Sequence, residues 1–225
     1  MAEQPLDNPI WHALGGPHRK LGFEAHGVRR YQPDVCIFIS NSRPTEGIET
    51  FPMVLQPGEV AGLASTGPLT MPSGMTRVRE ADVLQMIAHE PRPAAPAEGA
   101  VDLGVADVPS MMELTKLTQP GPFAPRTREM GRYIGIKVNG TLVAMAGERL
   151  RLDGLTEISA VCTHPDHRGK GYAKGLMSVL MGDIARRGET AFLHSYADNA
   201  VAISAYRTLG FTDRREMVFT VMQRV

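Results

Sequence analysis

The chain is poor in cysteine, has a single tryptophan, and carries no excess charge of either sign. Cys36 and Cys162 are the only thiols in 225 residues. Two cysteines so far apart make no disulfide framework, and reduced thiols in a cytoplasmic protein are the expectation. Lys plus Arg and Asp plus Glu both number 24, so the formal net charge is +0. That balance leaves no broad electrostatic footprint for nucleic acid, although a local basic patch is compatible with it. No apolar run approaches the roughly 20 residues that cross a bilayer. The opening "MAEQPLDNPIW" has acids and prolines where a signal peptide has an apolar region, so none is expected. Internal repeats and low-complexity tracts are also missing. His164, Asp166 and His167 sit too close together in a proline-containing loop to form a convincing ligand set, so no metal is expected.

What remains is the composition of a globular protein, 43% hydrophobic and 21% charged, long enough to bury a core without disulfides or metals. The clearest break is the Pro/Ala-rich stretch within His89–Gly99, which suits a stiff connection. We therefore divide the chain into an N-terminal subdomain (1–90), a linker (91–99) and a second domain (100–225). In the first part, "NPIWHALGG" suggests a short helix. Val35 to Ile39 suggests a strand. "FPMVL" suggests another, followed by a turn at Pro57-Gly58 and a further short element. "READVLQMIA" suggests a helix through Val83, Leu84, Met86 and Ile87. Trp11 suits packing better than a ligand platform.

The second part is better patterned. "AVDLGV" suggests a strand, and "DVPSMMELTKL" a helix capped by Asp107 with Pro109 in its first turn. Asn139-Gly140 between two strand-like runs predicts a hairpin. "TEISAVCTH" continues the sheet. Ala173, Leu176, Leu180 and Ile184 make one apolar helical stripe, which ends in Arg186, Arg187 and Gly188. A strand at "TAFLHSYA", a helix at "NAVAISAYRTLGF" and a closing strand follow.

Between strand and helix lies "HPDHRGKGYAKG". The first turn of a helix has unpaired N–H groups and a partial positive charge, and glycines let a ligand approach the backbone. With Arg168 and Lys170 added, "RGKGYA" suits a pyrophosphate. A tight turn with solvated basic residues is the competing reading. The segment lacks Walker A spacing, and Lys174 stands where a dinucleotide fingerprint needs its third glycine.

Arg168-Gly169-Lys170-Gly171-Tyr172-Ala173, followed by "DNAVAISAYRTLGF", resembles the GNAT superfamily of acyl-CoA-dependent N-acyltransferases, in its glycine N-acyltransferase-like branch. The resemblance covers roughly residues 98–225. It implies an α/β (α+β) fold, a GNAT-type mixed central sheet flanked by helices. The N-terminal segment is then either a degenerate GNAT-like half or a separate small subdomain. The implied activity is acetyl-CoA-dependent N-acetylation, with acetyl passing directly from the thioester to a primary amine of a small molecule or peptide. The alternative is a non-catalytic acyl-CoA-binding or sensing module.

The resemblance also assigns roles. Val161, Cys162 and Thr163 line the cofactor with strand backbone. The amides from Arg168 through Gly169, Lys170, Gly171, Tyr172 and Ala173 to Lys174 hold the pyrophosphate, and Asn199 lies near the pantetheine. Tyr206 is the general acid for the departing thiolate and lies against the cofactor. Glu157 is the candidate base, acting directly or through water. Strand alternation puts it on the face of Ser159 and Val161. His194 and Ser195 are further candidates for base or substrate contact. Arg126, Arg128 and Arg132 read first as surface charges, although a carboxylate-bearing acceptor would suit them.

Overall fold

The computed structural model describes residues 4–225. Its first elements are α1 (Pro9–Gly15), β1 (Gly22–Ala25), β2 (Val28–Tyr31) and β3 (Ile39–Asn41), followed by β4 (Val60–Ser65) and β5 (Met75–Ala88). Then come β6 (Ala100–Asp102), α2 (Val108–Thr118), β7 (Tyr133–Val138), β8 (Thr141–Leu152) and β9 (Leu155–Thr163). The chain ends with α3 (Tyr172–Arg186), β10 (Thr190–Tyr196), α4 (Ala200–Thr208) and β11 (Thr212–Arg224). Strands β1, β2 and β3 form a small sheet. The other eight form one mixed sheet in the order β4-β11-β5-β10-β9-β8-β7-β6. The expected mixed central sheet flanked by helices is therefore present.

Residues on both sides of the Pro/Ala stretch share that sheet. β5 pairs antiparallel with both β10 and β11, and β4 pairs with β11. The stretch itself lies along α3. Ala94 N–H donates to Ser178 Oγ at 2.8 Å, and Arg92 N–H donates to the Leu209 carbonyl at 2.8 Å. A Cβ on Gly175 would come within 2.6 Å of the Ala97 nitrogen, so glycine is what lets the stretch lie so close to the helix.

Three expectations need correction. "READVLQMIA" is a strand, because β5 is central and its second half, Val83 to Ala88, is buried on both faces. Val83 and Ile87 enter the core beneath α1, while Leu84, Met86 and Ala88 enter the core beneath α3. The alternation was hidden because both phases are apolar. "FPMVL" is irregular: Ile48–Met53 forms a 3-10 turn containing Pro52, and the strand of that region is β4. The expected strand at Val35–Ile39 also begins later, at Ile39, because the Val35 and Cys36 amides turn back onto the Gln32 carbonyl.

The C-terminal half follows its pattern closely. Asn139 and Gly140 have φ of 50° and 80°, the left-handed pair that a tight I′ hairpin turn needs. Leu176, Leu180 and Ile184 of α3 are buried against Ile134, Ile136, Ala144 and Leu193 of the sheet. Asp107 precedes α2 as expected, but its carboxylate accepts from Gly104 N–H at 2.7 Å and not from the helix. No helix among the described residues is long and apolar enough to cross a membrane.

Candidate active site

β9 and β10 run parallel for only three residue pairs, the last being Phe192 with Glu157. Beyond that pair they separate. A cavity of about 880 Å³ opens at the divergence, lined by Val161, Cys162 and Thr163 on one side and His194, Ser195 and Tyr196 on the other. It joins both faces of the sheet. On the α3 side it is bounded by the glycine loop, Met177, Asn199 and Tyr206; on the other it reaches residues of α1, β4 and β11.

A bulge shapes β9. Ala160 has φ of +52°, and the register with β8 slips between Gly147 and Met145. The extra residue shifts the strand's phase. Ile158 and Val161 both contact the α3-side core, while Ala160 and Cys162 pack with Met111 and Leu114 of α2. The simple alternation that grouped Glu157 with Val161 therefore fails at this bulge.

The loop after β9 makes a short 3-10 turn, Pro165–His167, capped by His164 Nδ1 accepting from Asp166 N–H. Gly169 and Gly171 have φ of +77° and +78°, and a Cβ on either would meet nothing within 4 Å. The conformation demands glycine, and the space in front of it is open. Gly171 caps α3, which leaves the first-turn amides facing the cavity mouth beside Arg168, Lys170 and Lys174. This donor set fits a pyrophosphate.

All twelve residues assigned to the cofactor, from Val161 to Tyr206, line this one cavity. Asn199 Oδ1 accepts from Ala202 N–H at 3.2 Å and so starts α4, leaving the amide nitrogen as its donor group. Tyr206 stacks edge-on with Phe211, and burial pushes its phenol up to about 12. It therefore keeps its proton at neutral pH, as an acid must. Burial pushes the Cys162 thiol up to about 11, which makes it a poor nucleophile.

Glu157 is fully buried and does not line the cavity. Its carboxylate accepts from Arg149 Nε at 2.8 Å, Arg149 Nη2 at 2.7 Å, the Leu150 amide at 3.3 Å and His194 Nδ1 at 2.7 Å. Burial alone would raise this carboxyl. The Arg149 guanidinium and the His194 hydrogen bond outweigh it and hold the group well below the usual carboxylate range. His194 does line the cavity, and its Nε2 lies 3.0 Å from Gln85 Nε2. Gln85 Oε1 accepts from Arg214 at 2.6 Å, so its nitrogen faces His194 and donates to it. Hydrogen-bond complementarity thus assigns the Nδ1–H tautomer to His194.

Residues that the sequence reading missed form the far side of the cavity: Pro9, Ile10, Phe38, Ala64, Val83 and Phe219, with Arg149 at its edge. They come from five separate stretches of chain, and no motif links them. Arg126 is held by Asp34, Glu129 and Gln32, and Arg132 by Asp102 and Asp183, all away from this cavity.

A sheet that opens between two parallel strands above a glycine-capped helix defines the class, and comparison with known proteins names it. The FR47-like protein family model matches residues 133–220. A putative acetyltransferase from the GNAT family of Novosphingobium aromaticivorans, known as a crystal structure, is 39% identical. The match covers 99% of this chain and 100% of that one, with a TM-score of 0.93. The chain belongs to the GNAT family of N-acetyltransferases. More distant relatives include the [ribosomal protein bS18]-alanine N-acetyltransferase of Escherichia coli, 27% identical over 117 residues, which are 49% of this chain and 78% of that protein. The N-alpha-acetyltransferase RimI of Mycobacterium tuberculosis is 34% identical over 102 residues, 41% of this chain and 61% of that protein.

Proposed function

We propose that the protein transfers acetyl from acetyl-CoA directly to a primary amine bound in the gap between β9 and β10. The observation that carries this reading is the continuity of the cavity: one opening links the glycine cradle, Tyr206 and His194. Acetyl-CoA supplies a thioester with a thiolate leaving group.

The chain's own groups divide the work. The amides at the start of α3, with Arg168, Lys170 and Lys174, hold the pyrophosphate. The backbone of Val161 to Thr163, freed from β10 by the splay, offers donors to the thioester oxygen as charge develops there. His194 Nε2 takes the proton of the attacking amine, and the Gln85 hydrogen bond yields to the acceptor. Glu157 acts through His194 as a positioning residue. It fixes the ring's tautomer and stabilises the imidazolium that forms. The amine nitrogen bonds to the acetyl carbon, the C–S bond breaks, and Tyr206 gives its proton to the departing sulfur.

The residues before 91 and after 99 act together as one unit, with the N-terminal part walling the acceptor side. The motif pair supports a position beside the glycine N-acyltransferase-like branch. One relative is an alanine N-acetyltransferase and another an N-alpha-acetyltransferase, which supports an α-amine as acceptor. Buried free thiols at Cys36 and Cys162 agree with a cytoplasmic location.

Calorimetric titration with acetyl-CoA tests the cradle. Gly171→Ala brings only the strain of a side chain at positive φ, whereas Gly171→Glu adds an anion as well. We expect binding by the wild type, weakening in the alanine variant, and a further loss of at least tenfold in the glutamate variant. A wild type that does not bind acetyl-CoA sinks the acetyltransferase reading. Equal binding by both variants sinks the phosphate cradle. A sensing module would bind alike but show no CoA release with any amine.

A further inference from the structure

The acceptor side of the cavity has a chemistry of its own. Its wall is apolar, made by Pro9, Ile10, Phe38, Ala64, Val83 and Phe219. Phe38 and Phe219 meet edge to face at 5.8 Å. No Asp or Glu lines any part of the cavity among the described residues, whereas Arg149, Arg168, Lys170 and Lys174 do. Three of those cations belong to the cradle. The fourth, Arg149, lies over the Phe38 ring at 4.9 Å, on the apolar wall itself.

Arg149 is pinned. Its Nε and Nη2 are committed to Glu157, the fork held by two hydrogen bonds. Its Nη1 makes no hydrogen bond among the described residues and faces the loop at Gly121, where a Cβ would lie 3.7 Å from it. A guanidinium nitrogen only donates. A ligand entering here must therefore bring an oxygen to meet it, or leave a donor unpaired in a desolvated place. A polycation would bring donors to a donor and find no carboxylate to balance its charge.

We propose that the acceptor is the α-amine of an apolar residue, with its neighbouring carboxylate or carbonyl oxygen on Arg149 Nη1 and its side chain on the Phe38–Phe219 wall. This rests on the acetyltransferase reading of the same cavity. Two sources share that chemistry, a free apolar amino acid and the first residue of a peptide. Polyamines, lysine ε-amines and aminated sugars do not fit it.

The test is an acceptor panel on the wild-type protein, with acetyl-CoA binding measured on the same preparation. Leucine, a tetrapeptide beginning with leucine, isoamylamine and spermidine form the panel. Isoamylamine keeps leucine's apolar body and lacks the oxygen. We expect leucine or the peptide to exceed isoamylamine by at least tenfold in kcat/KM and spermidine by at least a hundredfold. The faster of the two names the source, and either supports the inference. Spermidine or isoamylamine turning over as well as the better α-amine overturns it, as does acetyl-CoA binding with no turnover of either α-amine. Absence of acetyl-CoA binding instead removes the reading beneath it. A second arm uses Gln119→Glu, an exposed rim position that gives the cavity a carboxylate. The preference for the α-amine over spermidine should fall at least threefold. An unchanged preference counts against the charge argument.

Discussion

The two ends of the cavity are built on opposite principles. The proposed cradle is shaped by backbone, with the Arg168, Lys170 and Lys174 side chains beside it. Seven consecutive residues, Arg168 to Lys174, line it, and its shape follows from two glycines at positive φ before a helix. The acceptor wall is made of side chains, contributed by residues as distant as Pro9 and Phe219. A backbone site needs a local conformation, so it leaves a compact signature in the sequence. A side-chain wall needs only apolar surface delivered to one place, and any element can deliver it. Under the proposed assignment, this division lets the wall change without disturbing the amides. Substitutions that act on one end and spare the other are the way to break that division.

The largest effect is expected where the ends meet. The Glu157–Arg149 pair is buried, with 0% and 10% of the two side chains exposed. Glu157→Gln leaves the guanidinium without its counter-charge, and we expect a stability loss of about 3–5 kcal/mol. Denaturant melts would show it as a lower midpoint with unchanged slope. The pH dependence has a definite sign. The folded-state pKa of Glu157 is depressed, so its contribution is present above the unfolded carboxylate value near pH 4 and is lost as pH falls toward the folded value. The variant should lack that part of the acid limb. A variant as stable as the wild type would mean that the pair does not join the two sides.

Next in size is Tyr206→Phe, which addresses the cradle side alone. Loss of a general acid typically lowers kcat by about 10²-fold or more, while acetyl-CoA affinity should stay within about threefold. With its pKa pushed up to about 12, the phenol predicts no alkaline limb of its own in kcat through pH 10.5. A limb near pH 10 that disappears in Tyr206→Phe would contradict the desolvated environment. Unchanged kcat would remove the tyrosine from proton transfer.

How much of this was legible follows the same division. The hairpin at Asn139-Gly140, the stripe of α3 and the "RGKGYA" junction are local patterns, and each appears in the sequence where the structure has it. The second half of β5 hides its period, because Val83 to Ala88 are buried on both faces and apolar residues dominate both phases. Arg149 gave no signal, since a lone arginine in a strand looks like an exposed charge until Glu157 faces it across the bulged β8–β9 ladder. Glu157 itself was visible as a carboxylate beside the site. Its commitment to Arg149 depends on side-chain geometry that spacing alone does not encode.

The smallest effect belongs to the wall, and it is the most selective. Phe38 is 4% exposed and packs against Phe219 and the Arg149 guanidinium. Phe38→Leu keeps an apolar side chain and gives up one ring contact with each. Trimming the ring leaves a small cavity, but the loss is well below the roughly 3–5 kcal/mol of a Phe→Ala change, so the protein should fold. What it loses is surface for an apolar acceptor and the flat support that holds Arg149 Nη1 in place. We expect the acceptor KM to rise about three- to tenfold, with kcat at saturating acceptor reduced less. The acetyl-CoA dissociation constant should not change by more than about twofold, because no cradle amide touches this ring. Steady-state kinetics in both substrates, beside a calorimetric titration, would separate these quantities. A parallel fall in acetyl-CoA affinity would show the two ends to be one coupled site. Unchanged acceptor KM would move the amine's body off the Phe38–Phe219 wall and leave Arg149 facing another part of the ligand.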